Sequence, residues 1–390
     1  MKNTNYCEDV EIIKSRIYNT AVNDSEINGL LWSFLTVSAN LSTFMPGLKS
    51  SDHHKIVQNM EFHRALSAMD LLYPSLHENT EIHDEFKVLE QSHDKAHIFV
   101  GYHSGCYNML LRCIAAKNIP FCIVANTDYK NNFEHIVQDL YTNIAIENRD
   151  ALEIFVAEDP RLLLKLTKKL SAGVSVFIFI DGNAGTKENH FSDDKNLLKI
   201  DFLNHHIYAR QGVAYLAYLS KAPIATVIAK RDSELNNSVK IDLIKTVDYA
   251  ANHSRVDFIN LITKRIYKVL ENLLVEDYEQ WSGWFYVHHF FDTNIISEQT
   301  SITACKLDGR TKIILNEFVH LIKHNDNNIF LVMKKNYEIM RIERYLYDVL
   351  TYFKTARRIS AATPLTIDDD IVASEFIEEL IEMNYLNAVA

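Results

Sequence analysis

The chain has 390 residues, 47% hydrophobic and 23% charged, with ten glycines and six prolines. That composition suits a globular protein of about two or three domains and excludes collagen-like or Pro/Gly-rich disordered chains. A net charge of −11 argues against a nucleic-acid binder, whose footprint is basic, and against a general polybasic membrane anchor.

Cys7, Cys106, Cys113, Cys122 and Cys305 contain no CxxC pair and are odd in number, which fits a reducing compartment. The polar start has no signal-peptide core, so a cytoplasmic location is expected. The stretch Gly29–Leu48 is apolar but diluted by Asn40, Ser/Thr and Pro46, and reads as a buried or surface-lying helix rather than a membrane span.

In chain order, residues 1 to about 95 read as mostly helical, with Ile56, Met60, Ala65, Met69 and Leu72 near one face of a helix over 55–72. Strands are predicted at 96–102, 121–125, 151–156, 174–180, 224–229 and 239–246. Helices are predicted at 109–116, 162–170, 211–220 and 258–274. Strands alternating with helices imply a mostly parallel α/β sheet flanked by helices. The polar stretch 292–306 marks a boundary between domains at 1–295 and 306–390. The second is expected to be a small α+β unit with a strand at 328–333 and helices at 343–354 and 371–383, the last capped by Thr366 or Asp368.

Three segments carry candidate chemistry. In Gly101–Leu110, His103 falls at the C-terminal end of the first predicted parallel strand, where ligands of open α/β sheets collect. A histidine there can take a proton from a hydroxyl or amine, Gly105 permits a tight turn, and Asn108 is within reach to orient the imidazole. Asp181 and Gly182 end a buried strand and open a polar loop whose spacing is not that of a phosphate loop. Arg210 precedes a helix and suits a phosphate or carboxylate. Cys106 reads either as a nucleophile beside His103 or as a small packing residue. The pairs His53-His54, His205-His206, His288-His289 and His93/His97 give no recognised ligand pattern, so no metal is expected.

These segments, in this order, resemble the lysophospholipid/lipid A acyltransferase superfamily over residues 25–292. The family's His-x-x-x-x-Asp/Glu is matched by His103-Ser104-Gly105-Cys106-Tyr107-Asn108, with Asn108 in place of the carboxylate. Its strand ending in Asp resembles Ile180-Asp181-Gly182. Its Phe-Phe-Gly…Gly-x-Ala block resembles Phe202-Leu203-Asn204 with Gly212-Val213-Ala214, and its Glu-Gln-Trp tail resembles Glu279-Gln280-Trp281.

The resemblance implies a glycerolipid acyltransferase-like fold and a transferase. It would move a fatty acyl group from an acyl carrier protein or coenzyme A thioester to an amine or hydroxyl, with no resident cofactor. His103 would be the general base; Gly105, Cys106, Asp181, Gly182 and Arg210 would line the substrate site. Backbone amides near Gly105, with Arg210, would meet the oxyanion. For Asn108 three explanations stay open: a better nucleophile, a carboxylate from elsewhere, or a non-catalytic acyl- or peptide-binding scaffold.

Residues 306–390 resemble the winged-helix peptide-recognition domain of enzymes that modify ribosomally made peptides. That implies peptide modification, with a leader peptide added along the 328–333 strand edge. Peripheral contact with the inner membrane face is compatible with this reading.

Overall fold

The computed structural model describes residues 2–19, 27–127, 130, 153–182, 196–234, 236–246, 249, 253–290, 307–325, 328–360, 365–367 and 370–389. The loop after Gly182, the start of the strand expected at 151 and the boundary stretch 292–306 lie outside these residues. The chain divides into two compact units: Met1–Val22 with His54–Phe290, and Asn23–His53 with Phe291–Ala390. Residues Asn23–His53, expected within the first domain, group instead with the C-terminal part.

The first unit is built on nine strands: β1 Thr80–His83, β2 Ile98–Gly101, β3 Phe121–Ala125, β4 Ile154–Val156, β5 Ser175–Phe179, β6 Leu197–Phe202, β7 His205–Arg210, β8 Ile224–Arg231 and β9 Asn237–Ile244. Seven form one sheet in the order β1-β9-β8-β2-β5-β3-β4, and β6–β7 pair as a separate hairpin. All neighbours in the seven-stranded sheet are parallel except β8 and β9. The fold is α/β with a mostly parallel sheet, and its central strands read as continuous apolar runs because both faces are covered.

On one face, Phe99, Phe121, Ile123, Phe177 and Val227 share a core with Tyr6, Phe62, Leu66 and Leu110 from helical segments. Side chains alternate across a strand, so Ile98, Val100, Val176 and Ile224 turn to the other face, and they are equally buried. There Tyr102 donates to the carbonyl of Ile266 in the helix Arg255–Asp277 at 2.8 Å.

A buried ion pair closes the first core. Arg231, at the end of β8, binds Asp70, whose Oδ1 accepts from Tyr6 at 3.0 Å. Arg231 also donates to Asn237 Oδ1 at 3.2 Å, so both charges are paired and hydrogen-bonded.

The second unit holds β10 Asp308–Leu315, β11 Val319–Asn325, β12 Asn328–Met333, β13 Glu338–Arg341, β14 Arg357–Ser360, β15 Leu365–Ile367, β16 Asp370–Val372 and β17 Leu386–Val389. It forms antiparallel sheets β11-β12-β13 and β14-β10-β17 and the hairpin β15–β16. Two expectations are corrected here. The strand at 328–333 is β12, paired on both sides, so its backbone cannot serve as a free edge. Leu365–Ile367 and Asp370–Val372 pair as antiparallel strands, Asp368 lies outside the described residues, and the last helix, Ser374–Glu382, has Ala373 at its N-cap with no side-chain cap.

The apolar segment near Gly29–Leu48 folds as the helix Ile27–Phe44. Its Leu35 and Ala39, one turn apart, pack on Ile322, Phe330 and Val332. No helix among the described residues is long and apolar enough to cross a membrane.

Within this unit Ser38 Oγ lies 2.8 Å from His53 Nδ1 and 2.9 Å from His320 Nε2, all three residues being buried. With one hydroxyl proton Ser38 can donate to at most one of the two rings, so at least one ring donates to it. Burial, then the charges of Lys334, His53 and Lys354, hold His320 well below the ordinary 6.5. Burial lowers His53 too, against the opposing charge of Asp52.

With imidazole pKa values lowered, the folded state binds fewer protons than the unfolded chain. Their contribution to stability is therefore full above about pH 6.5 and drains as pH falls below it. Amide exchange in the helix Ile27–Phe44, corrected for intrinsic rates, should accelerate from about pH 7 to about pH 5, and less so in His320→Gln. Equal protection at both pH values in the unaltered chain would refute this.

Candidate active site

Strand register assembles the site. β2 and β5 are parallel neighbours with Gly101 opposite Phe179. His103 and Asp181 each lie two residues past that rung, at the C-terminal edge of the sheet. His103 Nδ1 sits 2.7 Å from Asp181 Oδ1. An ionised carboxylate only accepts, so Nδ1 carries a proton, and in the neutral ring this tautomer leaves the lone pair on Nε2. Among the described residues no hydrogen bond reaches Nε2.

Asp181 accepts three hydrogen bonds, one on Oδ1 and two on Oδ2. Its Oδ2 accepts the His103 backbone N–H at 2.9 Å and the Trp281 indole N–H at 2.7 Å. Its side chain is 2% exposed, against 19% for His103. Burial alone would raise its pKa, but attraction to His103 and the hydrogen bonds from His103 and Trp281 outweigh it and hold the group below the ordinary 3.8. The carboxylate is therefore ionised at neutral pH, ready to stabilise an imidazolium.

Aromatic rings wall the imidazole. Phe179 stacks on it at 4.5 Å and Tyr107 meets it edge-on at 5.0 Å. Gly101 makes room for this: a Cβ there would come within 2.8 Å of Phe177 Cζ and 2.9 Å of Phe179 Cε1. Gly182 lies beside the ring, its Cβ position 3.6 Å from His103 Cε1.

The His103 loop is clamped from the far end of the first unit's sequence. Gly105, at φ +58°, donates its N–H to the Gln280 carbonyl at 3.1 Å, and Ser282 N–H donates to the His103 carbonyl at 2.8 Å. The Gln280 carboxamide pairs with both the N–H and the C=O of Arg231, at 2.8 and 2.9 Å, much as a neighbouring strand would. A side chain at Gly105 would meet Ala229 O and Gln280 Oε1 at 2.8 Å, so glycine is required both for its φ and for this close approach.

Of the candidates, His103, Asp181 and Gly182 come together, and four assignments change. The partner of the imidazole is Asp181, not Asn108, whose Nδ2 donates to the Ser67 carbonyl at 2.9 Å. Cys106 is buried with its S–H toward the Lys230 carbonyl at 3.6 Å, and burial pushes its thiol up, so it packs rather than attacks. The N–H groups of His103, Ser104 and Gly105 are taken by Asp181, Tyr102 and Gln280, so none of these three is free to meet an oxyanion. Arg210, at the end of β7, does not precede an open anion site on its backbone. Its N–H meets the Tyr267 hydroxyl at 3.4 Å, that hydroxyl donates to Ile180 O at 3.4 Å, and its guanidinium lies 5.9 Å from the Phe290 ring centre.

Trp281 and Gln280 were legible as a motif but not as neighbours of His103. Among the described residues no group of three His, Cys, Asp or Glu side chains is placed to hold a metal ion.

No protein-family model and no curated protein matches the sequence. Among solved structures, the chain is similar to the 1-acyl-sn-glycerophosphate (LPA) acyltransferase PlsC from Thermotoga maritima. The identity is 12%, with 63% of this chain and 97% of that one covered and a TM-score of 0.29.

Proposed function

We propose that the chain is an acyltransferase whose base is His103, oriented and electrostatically supported by Asp181. The 2.7 Å bond between His103 Nδ1 and the buried carboxylate carries the reading, because it leaves the Nε2 lone pair to receive a proton. The ordered sequence blocks around His103, Asp181, Phe202 and Trp281 give the reaction class.

An amine or hydroxyl acceptor loses its proton to Nε2 as its nitrogen or oxygen bonds to the acyl carbon of a carrier-protein or coenzyme A thioester. The carbon–sulfur bond breaks, and the imidazolium returns the proton to the departing thiolate. A peptide acceptor, recognised by a winged-helix-like C-terminal part, fits the reading. Its strand would add at an outer strand such as β11 or β13 rather than at β12.

The test is product formation from long-chain acyl thioesters and amine or hydroxyl acceptors, peptides included. His103→Ala is expected to abolish it. Product unchanged in that variant would overturn the mechanism. The engaged loop amides favour a second reading, a non-catalytic acyl-binding scaffold. A bound acyl thioester seen by native mass spectrometry without any turnover would select it.

A further inference from the structure

We infer that Trp281 is a positioning residue whose indole N–H sets how strongly Asp181 attracts the proton on His103. The kinetic arm of this inference rests on the acyl-transfer reading; its spectroscopic arm does not.

Three donors reach the Asp181 carboxylate: His103 Nδ1–H on Oδ1, and the His103 backbone N–H and the Trp281 indole N–H on Oδ2. The first two come from the His103 residue itself and are fixed by the β2–β5 register. Trp281 is the contribution from a distant part of the sequence. Each hydrogen bond donated to a carboxylate draws off part of its negative charge. A carboxylate with three such donors holds an imidazolium less tightly than one with two. The indole is a donor only, so it cannot take the carboxylate's proton or relay one.

The indole is also held in one place. Trp281 is 3% exposed, and its six-membered ring folds over Gly283, where a Cβ would fall 2.0 Å from Cζ2. Trp284 meets it edge-on at 5.1 Å and Phe202 lies 6.2 Å away. Its backbone bridges to Ser104, the residue after His103. The ring cannot turn away without rebuilding this nest, so its donor stays aimed at Oδ2.

Removing that donor while keeping the shape should make the dyad more basic. The experiment replaces Trp281 with 3-benzothienylalanine, in which sulfur stands for the N–H, in the full chain, with Trp281→Phe as a second variant. The His103 ring titration is followed by NMR in the free protein. The expected result is a midpoint moved up by about one pH unit in both variants. An unchanged midpoint in the shape-preserving variant, with its thermal unfolding unaltered, would overturn the inference.

The unaltered chain provides an independent measurement. The Trp281 indole N–H resonance should shift with the same midpoint as the His103 ring, and an indole signal that ignores that titration would also overturn the inference. If acyl transfer is detected, the acid limb of kcat/KM should move by the same amount with KM unchanged. If no acyl transfer occurs, the proposed function fails while the two NMR readings still decide the role of Trp281.

Discussion

Asp181→Asn should lower single-turnover acyl transfer by about four orders of magnitude, the loss seen when the carboxylate of a histidine-based triad is made an amide. The side chain keeps its size, but its amide can donate to Nδ1 and so favour the wrong ring tautomer. It also cannot stabilise the imidazolium by charge. Asn108→Ala should behave differently. It removes a buried hydrogen bond to Ser67, worth about 1 kcal/mol of stability, and should leave the rate within a few-fold. The two variants together separate the family-like position from the observed partner. A collapse of rate in Asn108→Ala with Asp181→Asn little affected would reverse the assignment.

The second large effect concerns stability. Asp70→Ala leaves the Arg231 guanidinium, whose side chain is 1% exposed, without its carboxylate, and such a stranded buried charge costs about 3–5 kcal/mol. The urea midpoint of the first unit, followed by Trp281 and Trp284 fluorescence, should fall accordingly. Replacing both partners, Asp70→Leu with Arg231→Met, should recover most of the loss, because the desolvated charge disappears with its partner. A loss below about 1 kcal/mol in the single variant would mean that water or another group reaches Arg231. The effect would extend to the site, since the Arg231 backbone is paired with Gln280.

The sheet was readable where its strands are buried on both faces. The apolar runs that became β2, β3, β5 and β8 announce themselves, as does the long amphipathic helix Arg255–Asp277. β1 was not foreseen, because Thr-Glu-Ile-His contains one apolar residue and pairs only at the sheet margin with β9. The β6–β7 hairpin was hidden for a local reason. Its turn carries Leu203 at φ +52° where a glycine or asparagine would have signalled it.

At the site, His103 was legible from its position after a strand. Its partner was not, because 78 positions separate it from Asp181. A carboxylate from elsewhere was one of the open explanations for Asn108. Choosing Asp181 required knowing that β5 lies beside β2 and in which register, which local patterning does not encode. Trp281 was hidden more deeply, since its contribution is a single N–H aimed at a buried oxygen.

The discontinuity of the second unit sets the order in which a growing chain can fold. Ser38 leaves the ribosome 282 positions before His320, and the strands that cover Leu35 and Ala39 follow no sooner. At about 5–20 residues per second that interval is roughly 15 to 55 s. During it the first unit can close, while the helix Ile27–Phe44 waits with its apolar stripe uncovered. A chaperone that recognises short apolar helices would find its target there. A chain cut near residue 300 would carry the same stripe permanently, so its poor solubility would report an orphaned helix rather than a damaged active site.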